Sequence, residues 1–336
     1  MRTVLKKTAF IVLLILSSCV REEQLPDTPS GNFEELWKII NERYCFLEYK
    51  KIDWDNIHTI YKKYITDDMP DSELFNVLGH MLTELKDGHV NLYSDIEATC
   101  YTSWFDDYPP NYNELLLLNY LGTGHHAEGS IRYAVFHGNI GYMHCSNFSE
   151  TMDNERINMI LNSMSGCDGL IVDVRNNNGG SIGNAALLAS HFTNARVLTG
   201  YIRHKTGKGR NSFSEAKAIY IDPAVGIYWS KPVVVLSNRQ TFSAGNFFVN
   251  TMRYFPQITT AGDITGGGSG LPFTSELPNG WGVRFSASPH FDADMNHIEF
   301  GIEPEYPISM DVRDEEKGID SIIEEACSML NDPTLH

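Results

Sequence analysis

From Phe33 onward, apolar side chains recur every three or four residues, at Phe33, Leu36, Trp37, Ile40, Tyr44 and Leu47. That is the stripe of an amphipathic helix. The period returns over residues 54–65 and 74–85, and Asp71-Ser72 offers a cap for the third run. Three short helices predict a small N-terminal bundle over 33–92. Gly88 ends the last helix, and VNL at 90–92 reads as the start of a strand. Residues 93–131 are irregular and rich in aromatic residues, with the Pro109-Pro110 pair. From Tyr133 the rhythm changes. YAVFHG and NIGYMHCSNF read as two strands joined by a tight turn. Residues 150–164 form an amphipathic pattern, GLIVDVR at 169–175 a buried strand, and 182–192 another helix. ARVLTGYIRH, KPVVVLSN and PQITTAGD add three strands around a helix that begins near Ser243. Short β-branched runs alternating with helices predict an α/β domain over 132–330, its sheet covered by helices.

The long apolar run of the chain, AFIVLLIL at 9–16, follows Arg2, Lys6 and Lys7. This is the layout of a secretory signal over 1–18, too short for a membrane span. Leu16-Ser17-Ser18-Cys19 resembles the lipobox of bacterial lipoproteins, which implies that Cys19 is lipidated and becomes the mature N-terminus. Residues 19–32 are polar with two prolines and read as a tether. Glu22-Glu23 after the cysteine is similar to the surface-export signal of such lipoproteins. The implied location is the bacterial cell envelope, on the outer membrane, with a lipid anchor as the contact to the membrane.

With 336 residues, 42% of them hydrophobic, the chain can bury a sizeable core. Its 43 acidic against 26 basic residues, a net charge of −17, exclude nucleic acid and anionic headgroups as partners. Beyond Cys19 the cysteines are Cys45, Cys100, Cys145, Cys167 and Cys327, widely spaced, odd in number and without C-x-x-C. That pattern excludes a disulfide framework and a zinc site, and leaves room for one or two disulfides. His125-His126 are adjacent on a loop and cannot chelate as an i, i+4 helical pair does. No metal or cofactor is expected.

Three turns carry candidate chemistry. DVRNNNGGSIG at 173–183 lies between a strand and a helix; Gly179-Gly180 can free backbone N–H groups for an oxyanion or phosphate, or simply make a tight connection. VVVLSNRQTFSAGNFF at 233–248 places Ser243 between a buried strand and a helix, where it is either a cap or a nucleophile beside the Ala244 N–H. DGHV at 87–90 presents His89, either a satisfied histidine or a base.

In combination these turns resemble the serine peptidase superfamily of C-terminal processing peptidases, the tricorn core and interphotoreceptor retinoid-binding protein. The matching signatures are LKDGHV at 85–90, DVRNNNGG at 173–180, TFSAGN at 241–246, GDITGG at 262–267 and EFGIEPE at 299–305, in the family order. The resemblance implies a ClpP/crotonase-like α/β core behind a small N-terminal helical bundle, with Ser243 as nucleophile. It implies an oxyanion hole from Ala244 with Gly179 or Gly180. Gly245 and Asn246 stand where the family commonly has Ser and Glu. The lysine of the processing peptidases falls on Gly268, and no lysine occurs between Lys231 and Lys317, so a Ser-Lys dyad on the usual strand is excluded. The tricorn-like branch instead implies His89 as base and Glu299 as its partner, directly or through another group. A histidine base predicts a rate that falls with acid between pH 8 and 5. Residues 94–131 are too few for a PDZ domain; the aromatic Tyr101, Trp104, Phe105, Tyr108 and Tyr112 suit a cleft roof, or packing of bundle on core. The expectation is an envelope-anchored serine peptidase acting on peptides or unfolded proteins through an acyl-enzyme. The alternative is a catalytically retired scaffold that binds peptide or an apolar ligand.

Overall fold

The computed structural model describes residues 25–332. The expected signal segment 1–18, Cys19 and the first part of the tether lie outside the described residues. Helix α1 (Pro29–Arg43) begins inside the stretch expected to be tether. The Thr28 hydroxyl accepts the Gly31 N–H at 3.1 Å, and Pro29 takes the first helical position, where a missing N–H costs nothing. Helix α2 (Trp54–Tyr61) tightens into a 3₁₀ turn at Lys62–Tyr64, and α3 (Asp71–Thr83) completes the bundle. Phe33, Leu36, Trp54, Leu74, Leu78 and Met81 fill its core.

Next come β1 (Asn91–Tyr93), α4 (Ser103–Asp106), α5 (Glu114–Leu121), β2 (His126–Glu128), β3 (Ile131–Phe136) and β4 (Ile140–Cys145). They are followed by α6 (Asn154–Ser163), β5 (Gly169–Asp173), α7 (Ile182–Ser190), β6 (Val197–Ile202), β7 (Lys217–Ile221), β8 (Val233–Ser237), α8 (Ala244–Met252) and β9 (Ile258–Gly262). The chain ends with β10 (Gly270–Glu276), β11 (Gly282–Phe291), β12 (Tyr306–Pro307), α9 (Val312–Glu315) and α10 (Ser321–Asn331). The expected α/β class with a helical N-terminal region is therefore the one observed.

Seven strands form the main sheet in the order β12-β9-β8-β5-β4-β3-β2, parallel from β12 to β4 and antiparallel beyond. One face packs on α6, α7 and α8 through residues such as Leu170, Val235, Leu188 and Phe248; the other packs on α5 and α10 through Ile171, Val234, Leu117 and Ile323. A sheet covered on both faces explains why β5 and β8 are continuous apolar runs.

The second, antiparallel sheet brings the bundle to the main sheet. Its strand β11 pairs with β1, β10 and β6. β10 and β11, which the sequence pattern did not predict, make a hairpin around Asn279-Gly280. Val283 and Phe285 of β11 enter the bundle core together with Leu92 of β1. Residues Asp87 to Val90 are thereby carried to the C-terminal ends of the parallel strands.

A fully buried ionic knot anchors the start of the turn after β5. Arg175 bonds Asp173 at 2.7 Å and Asp320 at 3.0 Å, so the D-V-R portion of its turn is structural. Among the described residues all five cysteines are free, so no disulfide forms from the pairs left open above. Among the same residues no helix is long and apolar enough to cross a membrane, and no group of three His, Cys, Asp or Glu residues could hold a metal ion.

Candidate active site

The turn from β8 to α8 is pinned on all sides. Thr241 donates its hydroxyl to the Val174 carbonyl at 2.7 Å, the Phe242 N–H donates to the Asn177 carbonyl, and the Ser243 N–H to the Gly267 carbonyl at 2.9 Å. Held this way, Ser243 adopts φ +57°, ψ −115°, a left-handed conformation that a non-glycine residue takes only when its surroundings over-determine it. Ser243 occupies the N-cap position of α8 but its side chain caps nothing. Its Oγ lies instead 3.0 Å from His89 Nε2. Of the two roles left open by the sequence, capping is not observed, and the contact has the geometry that a nucleophile and its base would need.

His89 is buried, and its ring packs 4.8 Å from that of Phe242. Its backbone N–H donates to Asp87 Oδ1 at 2.8 Å, which fixes the turn after α3. Nδ1 has no partner in hydrogen-bonding geometry; the Gly270 carbonyl is the backbone group that favours the charged ring. We assign the proton of the neutral ring to Nδ1, which leaves Nε2 as the acceptor facing Ser243. Burial, with the charges of Arg284 and Lys50, pushes the imidazole down to about 4 against the opposing pull of Asp87.

Glu299 does not contact His89. Its Oε1 accepts from Lys50 Nζ at 2.8 Å, and its Oε2 accepts from the Ser269 N–H at 2.8 Å and from the Ser269 hydroxyl at 3.2 Å. Lys50, itself buried, also lies 3.5 Å from Asp87 Oδ2, an oxygen that accepts from Tyr44 and Ser286 as well. Two buried carboxylates thus share one ammonium. Burial favours the neutral form of Asp87, but Lys50 and His89 hold it below the ordinary carboxylate range. Glu299 is the one that yields: burial and the charge of Asp87 outweigh Lys50 and raise it to about 7. Of the two routes expected from Glu299 to His89, direct or through another group, the contacts follow the second: Glu299 pairs with Lys50, Lys50 lies beside Asp87, and Asp87 accepts the His89 backbone N–H.

Opposite His89 lies the Gly179-Gly180 turn. A Cβ on Gly179 would stand 2.7 Å from the Cβ of Ser243, so only glycine permits this approach. The two glycines differ in use. The Gly179 N–H donates to Asn177 Oδ1 at 2.9 Å, whereas those of Gly180 and Ala244 donate to no protein group among the described residues. Ala244 and Gly180 are the donors available to an oxyanion, and Gly179 is excluded by its own bond.

A cavity of about 710 Å³ opens over Ser243 and is lined by Trp104, Phe105, Phe242, Phe247, Leu271 and Pro272, among others. Trp104 stacks on Phe242 at 4.1 Å, and a Cβ on Gly88 would meet the indole at 2.6 Å. Trp104 and Phe105 form the expected roof. Tyr101, Tyr108 and Tyr112 do not line it; Tyr108 covers Arg239, and Tyr112 stacks on His144. Asn246 is also structural: it donates to the Ile298 carbonyl at 3.1 Å and accepts from Thr265 at 2.6 Å, tying α8 to the Glu299 segment.

Residues 139–308, half of the chain, match the model of peptidase family S41, and residues 26–83 match the tricorn protease C1 domain. The carboxyl-terminal-processing peptidase 2, chloroplastic, of Arabidopsis thaliana is 24% identical over 203 residues, which is 58% of this chain and 35% of that protein. The chain thus spans about a third of the length of that curated relative. Among solved structures, a candidate peptidase from Parabacteroides merdae ATCC 43184 superposes with a TM-score of 0.87 at 44% identity, covering 91% of this chain and 97% of that one. Mature CPAF shares the fold at a TM-score of 0.68 and 14% identity, over 92% of this chain and 99% of its own. The tricorn protease shares it at 0.54 and 15%, over 91% and 37%.

Proposed function

The chain belongs to peptidase family S41; from that premise we propose that it is a serine peptidase, cleaving peptides or unfolded proteins through an acyl-enzyme on Ser243, with His89 as base. The observation that carries this reading is the 3.0 Å contact of Ser243 Oγ with His89 Nε2, made by a serine in a left-handed turn.

In the first step Ser243 Oγ attacks the scissile carbonyl carbon, and its proton passes to Nε2. The carbonyl oxygen takes the negative charge and is met by the Ala244 and Gly180 N–H groups. Collapse breaks the C–N bond, the amine leaves with the proton from Nε2, and the acyl group stays on Oγ. Water then attacks the ester and gives its proton to Nε2; collapse of the second tetrahedral species releases the acid and returns that proton to Oγ. While His89 is protonated, the charge of Asp87 and the Gly270 carbonyl support it. Glu299 is a positioning residue in this scheme, acting through Lys50 and Asp87.

In favour of the retired-scaffold alternative stand Gly245 and Asn246, where the family commonly has Ser and Glu. The buried bonds of Asn246 give that departure a structural explanation, which supports the active reading. Fluorophosphonate labelling tests it: label on Ser243 that disappears in Ser243→Ala and in His89→Ala is the expected result. A folded protein that never labels and never turns over peptide would return the weight to a binding scaffold.

Anchoring of the chain in the bacterial envelope through Cys19 is part of the same proposal and rests on the lipobox resemblance. Metabolic labelling with a fatty-acid analogue should mark the wild type. Cys19→Ser should lose that label and leave the membrane fraction.

A further inference from the structure

The cavity over Ser243 has an electrostatic composition unlike the rest of the protein. The chain carries 43 acidic and 26 basic residues, yet no aspartate, glutamate or lysine lines this cavity. The charged group on its wall is the guanidinium of Arg284. Arg284 sits within β11, opposite Asn91 of β1 and Thr274 of β10, so it is carried by a strand paired on both sides. It is half-buried, and among the described residues it has no carboxylate, carbonyl or ring as partner. Arg43, Arg132, Arg175, Arg210, Arg239 and Arg253, by contrast, are each bonded within the protein.

A partly desolvated guanidinium without a partner forgoes up to five charge-assisted hydrogen bonds, and its planar fork matches a carboxylate in bidentate fashion. An acidic protein repels an anionic peptide at long range, so admitting one needs a local cation and the absence of carboxylates around it. Both conditions hold here. Arg284 shares the wall of this cavity with His89 and Ser243.

We propose that Arg284 is a specificity determinant which binds a carboxylate of the substrate close to the scissile bond. The carboxylate belongs either to an acidic side chain or to the free C-terminus of the peptide. As a statement about cleavage this rests on the peptidase reading; as a statement about binding it does not.

The test uses the full chain carrying Ser243→Ala and three fluorescent peptides of equal length. One has an internal glutamate and an amidated C-terminus, one has no acidic residue and a free C-terminus, and one has neither charge. Anisotropy titration should show one of the first two binding about 10- to 100-fold tighter than the third, the range of a hydrogen-bonded charge. Which of them gains identifies the source of the carboxylate. Adding Arg284→Gln should bring all three within about twofold, and Arg284→Lys should restore part of the difference. Thermal melts of each variant check that it is folded. Equal binding of the three peptides, no binding of any, or a charge preference that survives Arg284→Gln overturns the proposal. Fluorophosphonate labelling of Ser243 in the wild type and in Arg284→Gln reads the peptidase reading separately.

Discussion

Ser243 Oγ and His89 Nε2 stand 3.0 Å apart although 154 positions separate them in the chain. The pair is assembled by two unrelated devices: a turn strained at the mouth of the main sheet, and a bundle loop delivered by the pairing of β1 with β11. In the proposed mechanism the two side chains act as one unit, so removing either should cost nearly as much as removing both. Ser243→Ala, His89→Ala and the double variant should each lower kcat/KM by about 10⁴-fold or more, far from additively. Steady-state kinetics on an unfolded-protein substrate measures this; additive losses would mean that the two do not cooperate.

The acid limb of activity should lie lower than an ordinary histidine would place it. With His89 pushed down to about 4, the neutral base persists through mild acid. A plot of kcat/KM against pH should be flat from about 8 to 5 and fall with a midpoint near 4. This replaces the fall between pH 8 and 5 expected of an unperturbed imidazole. A midpoint above 6 would contradict the buried environment described for the ring.

The same shift sets a stability dependence of definite sign. The folded value of about 4 lies below the unfolded value of about 6.5, so between them the unfolded chain binds the extra proton. The contribution of His89 is complete above pH 6.5 and is lost as the pH falls through 4, amounting to on the order of 3 kcal/mol. Urea unfolding at pH 7 and 4.5 should show a smaller loss in His89→Ala than in the wild type.

Removing Lys50 should be worse than its distance from the chemistry suggests. Lys50→Met leaves Asp87 and Glu299 buried without their shared counter-charge, which should destabilise the fold by about 3 to 5 kcal/mol. It also removes a cation that holds the His89 ring down, so the acid limb of any remaining activity should move upward in pH. Denaturant midpoints and the pH profile together distinguish this from a simple packing defect.

At the oxyanion side, Gly179→Ala brings a methyl group to 2.7 Å from the Ser243 Cβ at a φ of +98°. Activity should fall by about 10²- to 10³-fold or more as the Ser243 geometry is displaced. Fluorophosphonate labelling should slow in parallel.

Much of the architecture is legible in the chain because helix stripes, buried strands and glycine turns are set by forces acting over a few residues. The bundle runs near 33–47, 54–65 and 74–85, the strands β5 and β8 and the turns at Gly179, Ser243 and His89 were all readable in this way. The start of α1 was hidden by Pro26 and Pro29, which read as tether while serving as the frame of a cap. β10 and β11 are harder to read although Asn279-Gly280 marks their hairpin and Val283 to Ser288 alternate as a half-buried strand does, because Pro272 and Pro289 stand inside the two runs and proline counts against a strand. Lys50, in the run E-Y-K-K, has the local look of a solvated charge. What buries it is the arrival of Asp87 and Glu299 from remote parts of the chain. The sequence by itself determined the elements and the chemical types available at three turns. Only the tertiary structure decided which turns meet, which glycine N–H is left free, and that burial raises Glu299 while Lys50 and His89 hold Asp87 down. Burial and Coulomb interactions sum over groups that are neighbours in space, and no local pattern records them.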